Sequence, residues 1–200
     1  MESQSDLLTH VVLLSDSQNS EANLSMKRLE LNLTDAGYLV STIGPVSGYF
    51  DLGAAVEQVR TLVVDKVTNN TRLVLIGTSL SADALAKGFY RFYSVCKPMA
   101  LILLSPRVLP IHLNNITCPY LVLHGDCEEW LLTHPYERIE QAVMHHQIRY
   151  GDLTTSYRVP GTARLMAGVS EVEDRVTAKI THWLRGVGVE HMRHHQEPAA

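Results

Sequence analysis

The sequence predicts an α/β fold, with a mostly parallel sheet of about six strands and helices on both faces. Two observations predict it. Short apolar runs, such as residues 73–76 and 99–104, alternate along the chain with longer stretches whose apolar residues recur every three or four positions. Strands that are apolar at every position are buried on both faces, which is typical of a parallel sheet covered by helices.

The first half of the chain is predicted to contain three strands, over residues 11–14, 38–43 and 73–76, each followed by a helix. Gly37 is placed to end the first helix and Asp51 to begin the second. The second helix has the clearest apolar stripe, formed by Leu52, Ala55, Val56, Val59, Leu62 and Val63. The third is predicted as one helix with a single apolar face: Ala82, Leu85, Ala86, Phe89 and Tyr93.

The second half is predicted to continue the alternation. Strands are expected over residues 99–104 and 120–123, a short helix over 136–144, and one or two strands within 147–159. A final helix is predicted to begin at a capping box of Ser170 and Glu173 and to end near Gly186.

This pattern shows no internal repeat or linker, so we assign residues 1–186 to one domain. Residues 187–200 have little apolar content and are predicted to form a disordered C-terminal tail.

Composition excludes several classes of protein. The 200 residues are 46% hydrophobic and 19% charged, which is enough to bury a core. The net charge of −4 argues against a nucleic-acid partner. No apolar run approaches the ~20 residues of a membrane span, the first residues do not form a secretory signal, and three scattered cysteines form no disulfide framework or zinc cluster. We therefore expect a cytoplasmic protein without a cofactor or metal.

The strongest chemical signal is the segment Gly77-Thr78-Ser79-Leu80-Ser81, between an apolar strand and a helix. A serine with small residues two positions before and after it has the layout of a nucleophile elbow, a tight turn that lifts the hydroxyl above the sheet edge. The start of the helix favours a developing oxyanion, with the Leu80 N–H as donor. The alternative is a Ser/Thr-rich helix cap, which is common in any α/β protein.

In the order and spacing of its segments, the chain resembles the α/β-hydrolase superfamily over almost its whole length. The segments that carry the resemblance are Val11-Val12-Leu13-Leu14, Gly77 to Ser81, Cys118-Pro119-Tyr120-Leu121-Val122-Leu123-His124-Gly125, Tyr157-Arg158-Val159-Pro160-Gly161 and Trp183-Leu184. The resemblance implies that Ser79 is the nucleophile, that Glu128 or Asp126 is the triad acid, and that the loop at Ser15 and Asp16 adjoins the oxyanion hole.

The chain also departs from the family pattern. Asp16 places a carboxylate where an oxyanion would form, and Arg164 stands, by count, where the family has its catalytic histidine. Arginine stays protonated in proteins and cannot serve as a general base. Arg164 is instead predicted to pair with Glu128 or to clamp an anionic ligand, unless the register of its loop is displaced by a residue or two.

Of the ten histidines, His134 is the one we consider as a substitute at the pocket rim. The short connection between residues 105 and 120 leaves no room for a lid, so the pocket is expected to be shallow and open.

Two functions follow as alternatives. The first is a serine esterase or acyl hydrolase acting on small esters or thioesters, with a weakened triad that lacks the usual histidine. The second is a catalytically inactive module that binds a ligand or a protein partner. The elbow favours the first, whereas Arg164, Asp16 and the missing lid favour the second.

Overall fold

The computed structural model describes residues 8–15, 20–46, 51–66, 71–151, 153–163, 165, 166 and 168–194. Strands and helices alternate as follows: β1 (Leu8–Leu14), α1 (Ser20–Asp35), β2 (Leu39–Ile43), α2 (Leu52–Lys66), β3 (Thr71–Thr78), α3 (Leu80–Lys87), α4 (Phe89–Cys96), β4 (Ala100–Leu104), α5 (Pro110–Asn114), β5 (Tyr120–Gly125), α6 (Glu129–Thr133), α7 (Tyr136–Tyr150), β6 (Thr155–Val159) and α8 (Ser170–His194).

The six strands form one sheet in the order β2-β1-β3-β4-β5-β6. Every neighbouring pair is parallel, so the predicted α/β fold is confirmed and the sheet is parallel throughout. Successive residues of a strand point to opposite faces, and Leu75 and Ile76 accordingly belong to different core clusters. One cluster lies under α2, α3, α4 and α7, and the other lies under α1 and α8.

The single helix predicted after β3 is divided into α3 and α4 at Gly88. A Cβ atom on Gly88 would lie 2.5 Å from Leu52 Cδ2 and 2.8 Å from the Ala84 carbonyl oxygen. Gly88 therefore allows α2 to pack closely at this point. The apolar stripe continues through the break, which is why the sequence pattern predicts one helix.

The predicted end of the last helix near Gly186 is wrong, because α8 continues to His194. Val187 extends the apolar stripe of Ile180 and Leu184 and is buried in the core. The carbonyl of Gly188 accepts a hydrogen bond from Arg72 Nη1 at 3.1 Å. These contacts offset the cost of about 1 kcal/mol for each glycine inside a helix. Residues 195–200 of the predicted tail lie outside the described residues, and the assignment of residues 1–186 to one domain remains a prediction.

Within the part of the chain that the structure describes, no helix is long and apolar enough to cross a membrane. The connection from β4 to β5 contains the short α5, which was not predicted.

His146 joins α7 to the segment that precedes β6. Its Nδ1 atom lies 2.6 Å from the Thr154 hydroxyl and its Nε2 atom lies 3.1 Å from the Ile116 carbonyl oxygen. With a neutral ring, Nε2–H donates to the carbonyl and Nδ1 accepts from the hydroxyl. Burial lowers the pKa of His146 to about 4.

We expect the protein to lose stability as the pH falls from about 6.5 towards 4, because the unfolded chain binds a proton on His146 before the folded chain does. The loss from this residue should be on the order of 3 kcal/mol. Urea unfolding at several pH values measures it, and His146→Gln should flatten the dependence because glutamine does not titrate. An unchanged pH dependence in that variant would show that another group is responsible.

Candidate functional site

Ser79 lies between β3 and α3, at the carboxyl edge of the sheet. Its backbone angles are φ 50° and ψ −115°, a strained conformation for a residue that is not glycine. The turn is held at both ends, since Ser79 N–H donates to the Leu104 carbonyl at 2.8 Å and the Ser79 carbonyl accepts from Asp83 N–H at 3.0 Å. The structure thus contains the sharp strand-to-helix turn that the sequence predicts.

Two small residues make this turn possible. A Cβ atom on Gly77 would lie 2.7 Å from the Ala82 nitrogen, so only glycine fits there. Ser81 is fully buried, and its hydroxyl accepts a hydrogen bond from Thr78 N–H at 2.8 Å and donates to the Leu14 carbonyl at 2.6 Å. The Ser81 side chain therefore ties the turn to β1.

Glu128 lies at the same edge of the sheet, directly before α6, and its side chain is buried. Its carboxylate accepts three hydrogen bonds: from the Ser105 hydroxyl at 2.6 Å, from Gly125 N–H at 2.7 Å and from His124 Nδ1 at 2.8 Å. Ser105 directly follows β4, the neighbour of β3, so this carboxylate lies beside the serine turn.

Glu128 therefore has an imidazole partner, which the sequence analysis did not predict. The partner is His124, at the end of β5, with a side chain that is fully buried. The turn at residues 125–128 folds the carboxylate back over the strand it follows. Sequence reasoning missed the pair because His124 belongs to β5 itself, and only the turn after this strand brings Glu128 back to it.

His124 is the innermost of three stacked rings. The Trp130 ring lies 5.9 Å from it at an interplanar angle of 6°, and the His134 ring lies 4.4 Å from Trp130 at 1°. The outermost ring, His134, is half-buried, and its Nδ1 lies 2.9 Å from the Thr133 hydroxyl. The His134 ring thus contacts Trp130 and Thr133 of α6. Its location at a pocket rim remains a prediction.

Asp126, the alternative acid, is exposed and holds the loop that follows β6. Its carboxylate accepts hydrogen bonds from Thr162 N–H and from the Cys127 thiol, both at 3.2 Å. The pKa of Asp126 lies below its usual value, mainly because of the Cys127 bond, with a contribution from the amide of Thr162. This contact joins Thr162, in the loop after β6, to the loop after β5 that carries both acids.

The remaining predicted residues have different positions. Ser15 follows β1, where its N–H donates to the Ile43 carbonyl at 2.9 Å and its carbonyl accepts from Val46 N–H at 2.7 Å. Leu80 is the first residue of α3 and its side chain is 42% exposed. Asp16 and Arg164 lie outside the described residues, so the roles assigned to them remain predictions.

The hydrogen bonds of the described imidazoles are made to residues other than Ser79. His10 bonds to Ser41, His112 accepts from Leu109 N–H, and His124 bonds to Glu128. Among the residues that the structure describes, no hydrogen bond joins an imidazole to the Ser79 hydroxyl.

One buried carboxylate near the site was not predicted. Asp83 lies one helical turn after Ser79 and accepts a hydrogen bond from Arg107 N–H at 2.5 Å. Burial raises the pKa of Asp83, although the Arg107 amide and the Lys87 ammonium oppose that shift. The signal in the sequence is an aspartate on the otherwise apolar face of Ala82 and Ala86.

Comparison with solved structures reveals similar folds. A dienelactone hydrolase from Anabaena variabilis ATCC 29413 has a TM-score of 0.67 and 14% identity, over 91% of this chain and 88% of that one. Est1E from Butyrivibrio proteoclasticus has a TM-score of 0.65 and 14% identity, over 93% and 90% of the two chains. An esterase from Pyrobaculum calidifontis has a TM-score of 0.62 and 12% identity, over 92% and 77%. No protein-family model and no curated protein matches the sequence.

Proposed function

Because this chain has the α/β-hydrolase fold, we propose that it binds a small molecule of the ester or thioester class at the sheet edge around Ser79 and does not hydrolyse it. The observation that carries the proposal is the arrangement at Glu128. In a serine triad the acid orients the imidazole that takes the proton from the serine. The carboxylate of Glu128 already accepts from Ser105, Gly125 and the buried His124.

The sequence supports the same conclusion. Arg164 stands where the superfamily it resembles has the catalytic histidine, and a guanidinium cannot accept the proton of Ser79. A serine hydroxyl without a base is a weak nucleophile. The retained elbow then serves as a binding feature, with α3 beginning beside the ligand.

A second candidate is a slow serine hydrolase, and the backbone of Ser79 favours it. A φ of 50° at a serine is costly and persists in proteins mainly where function requires it. Such an enzyme would need a base from a part of the chain outside the described residues or from a rearranged His134.

We expect wild-type protein and Ser79→Ala to hydrolyse p-nitrophenyl acetate at rates within about twofold of each other, because no triad supports the serine. Binding without turnover is tested with ethyl acetate and S-ethyl thioacetate as probes, which should shift the amide resonances of Ser79 and Leu80. A wild-type rate well above that of Ser79→Ala would replace the binding proposal with the hydrolase, and His134→Ala would then be examined first.

The Arg164→His variant tests whether a histidine at position 164 gives the protein esterase activity. It should raise ester turnover by about 10²-fold, the lower end of the usual contribution of a general base, because Glu128 is already engaged by His124. Adding Ser79→Ala to Arg164→His should remove the gain. A gain that survives Ser79→Ala would show that the new histidine acts alone and that the elbow is not involved.

A further inference from the structure

The edge strand β2 has main-chain groups that face away from the sheet. Along a parallel strand, the N–H and C=O groups of alternate residues point to alternate sides. The Ile43 carbonyl accepts from Ser15 N–H, so Ile43 faces β1, and Thr42 and Gly44 face outward. Gly44 N–H donates to Gln58 Oε1 of α2 at 3.3 Å, in agreement with this alternation. No described residue bonds to the outward main-chain groups of Thr42.

A groove of about 520 Å³ lies directly beside this edge, between β2 and α2. Thr42 and Gly44 form one wall, Glu57, Gln58 and Asp65 form the other, and the half-buried Leu62 adds an apolar surface. A further strand hydrogen-bonded to β2 would lie along this groove, which is the geometry of β-strand addition.

The charges around the groove are mainly negative. Its lining contains the carboxylates of Glu57 and Asp65 and no lysine or arginine. Glu30 of α1 lies on the opposite face of the sheet, where its carboxylate accepts a hydrogen bond from the Thr42 hydroxyl at 3.3 Å. Glu57 and Glu30 are partly balanced by exposed ion pairs with Arg60 and Lys27. Asp65 has no ion-pair partner among the described residues.

We propose that the β2 edge binds an extended segment of a partner protein that carries lysine or arginine side chains. The main chain of this segment pairs with the outward groups of Thr42, and its basic side chains meet Glu57 and Asp65. A second copy of this chain fits less well, since pairing β2 with β2 around a two-fold axis brings the groove-lining carboxylates Glu57 and Asp65 of both copies towards each other.

The first experiment compares two synthetic heptapeptides, one with alternating valine and lysine and one with alternating valine and glutamate. In NMR titrations of the full-length chain, the lysine peptide should shift the amides of Thr42 and Gly44 and bind at least about tenfold more tightly than the glutamate peptide. Glu57→Lys with Asp65→Lys should reverse this preference. Glu137→Lys, on the exposed start of α7, is the matched control and should leave it unchanged.

The second experiment tests the main-chain contact. Thr42→Pro removes an N–H that points outward, so pairing with β1 is kept while binding of the lysine peptide should fall about tenfold. If Thr42→Pro does not fold, the variant with Glu57→Lys and Asp65→Lys still tests the proposal. Equal binding of both peptides, or shifts confined to residues far from β2, would overturn the proposal. A concentration-dependent dimer that Thr42→Pro abolishes would assign the edge to a second copy instead.

Discussion

Replacing Glu128 by alanine should lower the free energy of unfolding by about 3 kcal/mol, because a buried donor left without an acceptor costs about 1–3 kcal/mol. The carboxylate accepts hydrogen bonds from Ser105, Gly125 and His124, and His124 is fully buried. Without Glu128, the buried His124 ring and Gly125 N–H lose their acceptor, and so does the half-buried Ser105 hydroxyl. Urea unfolding monitored by tryptophan fluorescence measures the change.

Two variants serve as controls for this prediction. Glu128→Gln keeps an acceptor oxygen and should cost less than alanine. Asp126→Ala removes a neighbouring carboxylate that is exposed, and its effect should stay within about 1 kcal/mol. If Glu128→Ala changed the free energy of unfolding as little as Asp126→Ala, the three hydrogen bonds to Glu128 would contribute little to stability. The argument against a serine triad would then lose its main support.

Replacing Gly77 by alanine should destabilise the protein by about 3 kcal/mol, because the added methyl group would overlap main-chain atoms. The new Cβ would lie 2.7 Å from the nitrogen and 2.8 Å from the Cα of Ala82. These atoms cannot retreat easily, since the adjacent Ser81 bonds to both Thr78 and Leu14. The strained turn at Ser79 would then be the first part of the fold to change.

Gly53→Ala is the matched control for this substitution. Gly53 lies inside α2, and a Cβ atom there would have no neighbour within 4 Å. Alanine should therefore stabilise the protein by about 0.5–1 kcal/mol through its higher helix propensity. Urea unfolding of both variants measures the two changes in stability. Similar effects of the two substitutions would mean that the elbow backbone adapts to a side chain at position 77.

The strands and most of the helices could be predicted from the sequence, because their signals are local. Burial on both faces requires an apolar residue at every position of β4, and burial of one helix face requires the spacing seen in α2. The turn at Ser79 could also be predicted, since close approach of β3 and α3 leaves room only for a small residue at position 77. These properties belong to single segments and depend little on what surrounds them.

Other features depend on contacts between distant segments, and only the tertiary structure decided them. The break at Gly88 depends on Leu52 of α2, and the extension of α8 depends on the core around Val187 and on Arg72 of β3. Neither contact leaves a local pattern in the sequence.

The sequence by itself determined the fold class and the elbow of this protein, because tight packing of a strand and the following helix restricts residue types locally. The tertiary structure decided which groups share the carboxyl edge of the sheet. Glu128 bonds to His124 because a turn folds its side chain back over β5. It bonds to Ser105 because the strand order places β4 beside β5. Strand order also left β2 exposed at an edge beside an acidic groove, and strand order follows from how all the helices pack together.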